Sequence, residues 1–474
     1  MPLRTSRRTT ARAVAGCAAV AAALLAAPLV TAGPAAAAPE APVVDFNGDG
    51  FADLVINAPR ATVSGTEGAG YVSVVYGSEA GADTAHPQVI SRTTTWLPAT
   101  AKTGTSFGQT TAARDLDGDG FADLAISGFN DADVVLWGSA SGLTSASALP
   151  GRVNRVADGD FNGDGEGDLV TTGDGGLQIK LGPFTRAGAA ATTATLAADE
   201  EDEIWDLTVG DMNGDGKDDL ITTGGFEEMS YQAQWWKGTS TGVSSTARAT
   251  GYFTLGGVVA DVNLDGYGDY VARDVGQVSE VRDSEAGNVR VVYGSATGPS
   301  TRTAKITQNT TGVPGVSEAE SPSDGQYGGD QFGTSVAAGD VTGDGYPDIA
   351  VGVPGEDIGS VKDAGAVVLL KGGAAGLTGT GAQAFNQSSS GVPGASETGD
   401  AFGRSVSLLD VNANDRADLA VGAPGEDGTY ADSGAVWVFR GSKSGLVTTN
   451  ITAFGPAKLK APVNGARFGT AFAQ

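Results

Sequence analysis

The chain has 474 residues, and its 56 acidic and 29 basic residues give a formal net charge of −27. A protein this acidic is repelled by nucleic acid and by anionic lipid, so the composition excludes both classes of partner. Its single cysteine, Cys17, lies so close to the N-terminus that a processed chain would hold no disulfide.

The N-terminal 37 residues have the pattern of an export signal. Four arginines precede an Ala/Leu/Val run, which is followed by small residues. We expect cleavage near Ala37, a secreted and extracellular product without a stable membrane insertion, and one mature domain over 38–474. Arg7 and Arg8 form a twin-arginine pair, and the export route stays open. Removal of the signal leaves 25 basic and 56 acidic residues, a net charge of −31.

A nine-residue acidic pattern, D-x-[DN]-x-D-G-x-x-D, recurs along the chain with some variation. Its seven copies begin at Asp45, Asp115, Asp160, Asp211, Asp261, Asp340 and Asp410. The opening resembles an EF-hand, but position 12 of the first copy is Ile56 where an EF-hand has glutamate. Each copy is followed by a short apolar run that predicts a strand, not an exiting helix.

The chemistry of these loops favours calcium. Four carboxylates fall within nine residues in the second copy, and such a cluster repels itself unless a cation fills it. The loops offer only oxygen ligands, with no histidine or cysteine for a softer metal. We expect ligands at positions 1, 3, 5 and 9, a carbonyl at position 7, and water. The predicted side-chain ligands are Asp45, Asn47, Asp49, Asp53, Asp115, Asp117, Asp119, Asp123, Asp160, Asn162, Asp164, Asp168, Asp211, Asn213, Asp215, Asp219, Asp261, Asn263, Asp265, Asp269, Asp340, Thr342, Asp344, Asp348, Asp410, Asn412, Asn414 and Asp418.

The seven loops differ in their expected affinity. The last copy has amides at positions 3 and 5 and places Asp415 where glycine belongs, so only Asp410 and Asp418 bring charge to its site. Up to seven calcium sites are therefore predicted, with the Asp410 loop the weakest. The alternative is a repeated solvated turn that binds no ion.

The spacing of the loops predicts an all-β propeller. Residues 332–377 and 402–446 match each other, and each holds three β-rich runs, with a fourth expected in the link to the next unit, such as 303–308. One four-stranded unit buries too little surface to fold alone, whereas seven such units form a seven-bladed propeller.

A phenylalanine-glycine pair predicts how the ring closes. Phe107, Phe332 and Phe402 each precede the first aspartate of a loop by eight residues, but the first loop has no such partner. Phe468-Gly469 supplies the missing pair at the other end of the chain. We therefore expect the C-terminal strand to complete the first blade and to remove its open edge.

The succession of FG, the acidic loop, VGAPGED and GAVWVF resembles the FG-GAP repeats of integrin α-chain propellers and their bacterial secreted relatives. The repeats are well kept in the first, second, sixth and seventh units and degraded in the third to fifth, where Phe253 alone remains of an FG pair. The resemblance implies a seven-bladed propeller with calcium in the loops that match 45–53. Nothing in the chain resembles the legs or the membrane segment of an integrin.

Alternating turns would place the long links opposite the acidic loops, where a recognition surface is expected. Candidate exposed aromatic residues there are Trp96, Tyr327 and Tyr430, and the favoured alternative for each is a packing role. Trp137, Trp235, Trp236 and Trp437 are expected in the core.

The chain is poorly equipped for catalysis, with His86 as its only histidine. The acid pairs Glu356-Asp357 and Glu426-Asp427 recur with the repeat, so we interpret them as structural. These features favour a monomeric binding or adhesion-type module for an extracellular protein or polysaccharide. The alternatives are a calcium-dependent polysaccharide lyase or hydrolase and a purely structural matrix component.

Overall fold

Every acidic loop leads into a β-strand, as the apolar runs predicted. The computed structural model describes residues 44–98, 100–129, 133–151, 153–173, 176–196, 203–227, 229–277, 286–319, 329–428 and 430–473. These residues belong to a single unit, Pro42–Gln474. The predicted export signal and Tyr327 lie outside the described residues.

The strands form seven antiparallel sheets, the blades of a seven-bladed propeller, and within the described residues there is no helix. From the inside outwards, the strands of blade 1 are Ala471–Phe472, Leu54–Ala58, Tyr71–Val75 and Gln88–Ser91. Those of blade 2 are Thr111–Arg114, Asp123–Ile126, Val134–Trp137 and Ser145–Ala148. Those of blade 3 are Val153–Gly159, Asp168–Gly173, Gly176–Leu181 and Thr192–Leu196. Blade 5 has the strands Thr254–Ala260, Asp269–Asp274, Val289–Val292 and Thr303–Ile306. Blade 6 has Val336–Gly339, Asp348–Val353, Ala366–Leu370 and Gln383–Phe385. Blade 7 has Ser405–Leu409, Asp418–Ala423, Ala435–Ser442 and Gly445–Phe454.

Blade 4 departs from the four-stranded plan. Its four main strands are Glu203–Gly210, Asp219–Phe226, Gln234–Trp236 and Arg248–Ala249. An additional short strand, Met229–Ser230, pairs with the second strand, and Gly238–Thr239 pairs with Gly242–Val243 in a separate two-stranded ribbon.

The two faces of the propeller carry different connections. In each blade the acidic loop joins the first and second strands, and the turn between the third and fourth strands lies on the same side because the strands are antiparallel. We call this side the loop face. The connections between the second and third strands and between blades lie on the opposite side, the link face.

The core lies between the blades. Seven clusters of buried apolar side chains each fill one junction between neighbouring blades, including the junction between blades 7 and 1. The tryptophans predicted as core residues, Trp137, Trp235, Trp236 and Trp437, are at most 7% exposed, which confirms that prediction.

A glycine and a phenylalanine join neighbouring blades at four junctions. The backbone N–H of each FG phenylalanine donates to the carbonyl of the residue before a glycine in the preceding blade, at 2.9–3.0 Å. A Cβ on any of these glycines would lie 2.3–2.6 Å from the backbone N and O of that phenylalanine, so the approach requires glycine. We call each pair an interblade clasp: Gly70–Phe107, Gly287–Phe332, Gly365–Phe402 and Gly434–Phe468.

The C-terminal strand closes the ring, as predicted. Ile56 pairs with Phe472 and Asn57 with Ala471, so Ala471–Phe472 is the innermost strand of blade 1. The clasp between Gly434 and Phe468 then joins blade 7 to blade 1.

The acid pairs of the link face have structural partners. Glu356 Oε2 accepts a hydrogen bond from Gln308 Nε2, and Glu426 Oε2 accepts one from Gln387 Nε2, both at 2.5 Å. Burial, together with the nearby Asp400 carboxylate, raises the pKa of Glu426 to about 7.

Substitution of Gly434 by alanine should break the closing clasp. The new Cβ would lie 2.3 Å from both the N and the O of Phe468, and the backbone φ of +77° is unfavourable for alanine. We expect a loss of about 2–4 kcal/mol in the free energy of unfolding, measured by urea denaturation at fixed calcium. Gly373→Ala is the control, because nothing lies within 4 Å of a Cβ there. Equal stability of the two variants would contradict the clasp.

Substitution of Glu426 by glutamine should change the dependence of stability on pH. Because the pKa of Glu426 is about 7 in the folded protein and near 4.5 when unfolded, the folded state holds the proton more tightly, and its stability falls as pH rises through this window. Glutamine stays neutral, so Glu426→Gln should unfold at a higher temperature than the unsubstituted protein at pH 8 and at a similar temperature at pH 4. Exposed Glu79→Gln is the control, and an equal response of the two variants to pH would refute the assignment.

Candidate metal centre

The first aspartate of each loop shapes the turn. Asp45 Oδ1 accepts hydrogen bonds from the backbone N–H groups of Gly48 and Asp49, at 2.7 and 3.3 Å, and its Oδ2 accepts one from Gly50 at 2.8 Å. The loops that begin at Asp115, Asp160, Asp211 and Asp340 repeat this pattern. The aspartate therefore curls the loop around its own carboxylate.

The last aspartate of each loop ties it to the third strand of the blade. Asp53 Oδ2 accepts from Phe46 N at 2.8 Å, and its Oδ1 accepts from Gly77 N at 3.0 Å. In all seven blades a glycine at the end of the third strand or just after it donates in this way. Each carboxylate oxygen has a second lone pair that is still available for a cation.

Burial makes these last aspartates unfavourable as anions. It raises the pKa of Asp53, Asp123 and Asp269 to about 7, against the hydrogen bonds from the backbone, which lower it. The negative charges of the other carboxylates in the same loop contribute to this rise. A cation held among these groups would reverse the effect and favour the charged carboxylates.

All 28 predicted ligand positions lie within the described residues, four to a loop. The Asp115 loop fits a metal ion by its geometry, because Asp115, Asp117 and Asp123 can place one carboxylate oxygen each within 4.8 Å of the others. Asp117 Oδ1 is buried and has no hydrogen-bond partner. In most other loops an asparagine occupies position 3, so fewer carboxylates converge. An amide oxygen would have to be the ligand of a metal ion at that position.

Basic side chains reach some of the loops, which sequence reasoning missed. Arg186 Nε lies 2.5 Å from Asp117 Oδ2, and the same guanidinium contacts Asp119. Lys237 Nζ lies 2.8 Å from Asp215 Oδ2. For the Asp45, Asp160 and Asp340 loops, no ion pair with a base is seen in the part of the chain that the structure describes.

The Asp410 loop does not fit a metal ion in the same way. Arg440 NH1 donates to Asp418 Oδ2 at 3.0 Å, and both side chains are largely buried. Asn412 Nδ2 donates to the same oxygen at 2.5 Å. The guanidinium therefore places a positive charge directly on the last aspartate of this loop, whereas Arg186 and Lys237 contact the carboxylates at positions 3 and 5 of theirs. Arg440 and Lys237 both directly precede the glycine at the end of the third strand, but so does Lys371 in blade 6, whose Nζ donates to Ser444 O instead, so this position alone does not identify such a base.

The link face carries part of the expected aromatic surface. Tyr430 is 51% exposed, in agreement with its assignment as a surface candidate. Trp96 instead packs, half-buried, against the apolar cluster between blades 1 and 2, in agreement with its alternative interpretation as a packing residue. A search of the described residues for a helix long and apolar enough to cross a membrane finds none.

Comparison with known families identifies the repeats. The FG-GAP repeat family matches residues 40–75, 332–370 and 402–439, and the FG-GAP-like repeat family matches residues 160–222. The second match covers the third and fourth units, where the FG pairs are lost.

Two similar proteins each match about a quarter of this chain. Integrin alpha-PS5 of Drosophila melanogaster is 37% identical over 123 residues, which is 26% of this chain and 11% of that protein. Phosphatidylinositol-glycan-specific phospholipase D of Bos taurus is 34% identical over 123 residues, which is 25% of this chain and 14% of that protein. The match thus spans less than a sixth of the length of either relative.

Two solved structures are similar at low sequence identity. An Agrocybe aegerita lectin that recognises non-reducing terminal N-acetylglucosamine gives a TM-score of 0.46 at 14% identity, over 88% of this chain and 94% of that one. BBS1N in complex with ARL6DN gives 0.41 at 10% identity, over 74% of this chain and 83% of that one. The repeat matches and the seven-bladed fold together show that the chain is a propeller built with FG-GAP repeats, similar to those of integrin alpha chains.

Proposed function

We propose that this protein is a secreted, monomeric, calcium-stiffened module that binds an extracellular carbohydrate or protein through its link face. The observation that carries the proposal is the contrast between the two faces. The loop face repeats one hydrogen-bonded acidic turn around the ring. The links of the opposite face differ in length and sequence between most blades, and only those of blades 6 and 7 resemble each other closely. Loops that repeat around the ring are expected to have a structural role, and links that vary between blades are expected to recognise a specific partner.

The acidic loops would hold calcium through the residues already named at positions 1, 3, 5 and 9. A bound calcium ion would supply the positive charge that offsets the clustered carboxylates of a loop. The first aspartate keeps the loop curled, and the last aspartate connects any bound ion to the third strand. Binding only to the folded state would stabilise each blade. The export pattern of residues 1–37 supports secretion.

Retention on immobilised ligands tests the binding function. Calcium-loaded protein is applied to a panel of cell-wall and matrix polysaccharides and surface proteins, and released products are assayed in the same samples. We expect saturable retention without products, and its loss in chelator. Turnover of any polymer would favour a lyase or hydrolase instead, and a lack of saturable retention on every ligand would favour a structural matrix component.

The number of bound calcium ions tests the role of Arg440. Because this guanidinium already pairs with Asp418, the Asp410 loop should bind no calcium, and Asp410→Asn should leave the number of ions per chain unchanged. Asp340→Asn in the neighbouring blade is the matched comparison and should lower the number by one. Equilibrium dialysis with radioactive calcium measures both. A loss of one ion in Asp410→Asn would refute the assignment.

A further inference from the structure

A cavity of about 730 Å³ opens beside the second strand of blade 4. Its lining includes Thr223 and Gly224 from the end of that strand, Ser230 and Tyr231 from the segment that follows, and Phe253 from the entry to blade 5. Because the second strand starts at the acidic loop and runs away from it, these residues lie on the link face. The volume is within the range of about 300–1,000 Å³ that is typical of ligand sites.

The cavity lies where an interblade clasp is missing. Each clasp glycine stands seven residues before the glycine after the third strand, as Gly434 does before Gly441; in blade 4 the same distance before Gly238 leads to Tyr231. A Cβ at the clasp position would collide with the backbone of the next blade. The tyrosine therefore excludes the clasp, and Phe253, which stands in the position of the FG phenylalanines, is only half-buried.

The packing between blades 4 and 5 is correspondingly reduced. The apolar cluster at this junction has seven buried members among the described residues, against sixteen in the cluster between blades 5 and 6. At the other junctions apolar side chains fill the space between the blades. Between blades 4 and 5 this space is partly open and has a polar lining.

Two buried hydroxyls in the lining have no hydrogen-bond partner. Thr223 and Ser230 are each 2% exposed, and neither Oγ1 of Thr223 nor Oγ of Ser230 is paired. An unpaired buried hydroxyl costs stability, and a ligand that completed its hydrogen bonding would remove that cost. A change of χ1 rotamer turns such a hydroxyl towards an incoming group.

The chemistry of the lining selects the ligand class. Gln232, Gln234 and Gln277 present amides that both donate and accept, and Tyr231 and Phe253 present apolar rings. Glu203 is the one charged residue that the described lining contains, and the protein as a whole is strongly acidic. A ligand that presents adjacent hydroxyls and apolar faces and carries no negative charge matches this surface. Uronate and sulfated polymers would be repelled by the negative charge of the protein.

We propose that this cavity binds a short segment of a neutral oligosaccharide. The inference rests on the proposed binding function, and it specifies the blade, the residues and the ligand class.

Calorimetric titration with soluble cello-, manno- and chito-oligosaccharides tests the site, with oligogalacturonate as the acidic comparison. Ser230→Ala should weaken binding of the preferred neutral saccharide about fivefold, as expected for one lost hydrogen bond. Its unfolding temperature should not fall, because the hydroxyl has no partner in the free protein. Tyr231→Ala should weaken binding about tenfold or more. Phe129→Ala, an exposed aromatic residue in the link of blade 2 on the same face, is the control and should have no effect.

Each other outcome would overturn the inference. Neutral saccharide binding that both cavity variants leave intact would place the site elsewhere and leave the proposed function standing. Preference for oligogalacturonate would refute the ligand class. If no soluble saccharide binds, the cavity assignment fails, and the retention panel then decides separately whether the binding function survives.

Discussion

At four of the seven junctions, the close approach of a glycine to the backbone of a phenylalanine in the next blade is the contact that joins the blades of the ring. It joins neighbouring sheets by a direct backbone bond, so the blades are held by more than side-chain packing. The contact tolerates no side chain at the glycine. This is why a single larger residue at the same position, Tyr231, changes a whole junction: the clasp is absent, the apolar core is smaller, and a polar cavity takes its place.

Each acidic loop brings negatively charged carboxylates close together, and the compensating positive charge differs from loop to loop. The hydrogen bonds from the backbone to the first and last aspartates are nearly the same around the ring. The source of compensating charge differs, since Arg186 and Lys237 approach two loops from the surface and Arg440 is buried within another. Conserved turn geometry therefore does not by itself imply equal affinity for an ion.

Much of the architecture could be predicted because it repeats. The seven loops, the strands that follow them and the closure by Phe468 all follow from fixed spacing in the sequence. Features that depend on contacts across a hairpin could not be predicted. Arg440 lies 22 residues from Asp418, and its role emerges only when the third strand is placed beside the second. The cavity was also missed, because the meaning of Tyr231 depends on the strand register that defines the clasp position.

Closure of the first blade by a distant strand has a consequence for the order of folding. The innermost strand of blade 1 pairs with a segment more than 400 residues away in the sequence, whereas every other blade uses consecutive strands. Blades 2 to 7 can each form as soon as their own strands have been synthesised, but blade 1 lacks its innermost strand until residues 471–472 arrive. A long-range pairing of this kind forms slowly, because a large loop must close first. Until that moment the edge strand of blade 1 is exposed, and the nascent chain is most open to aggregation and to proteolysis there.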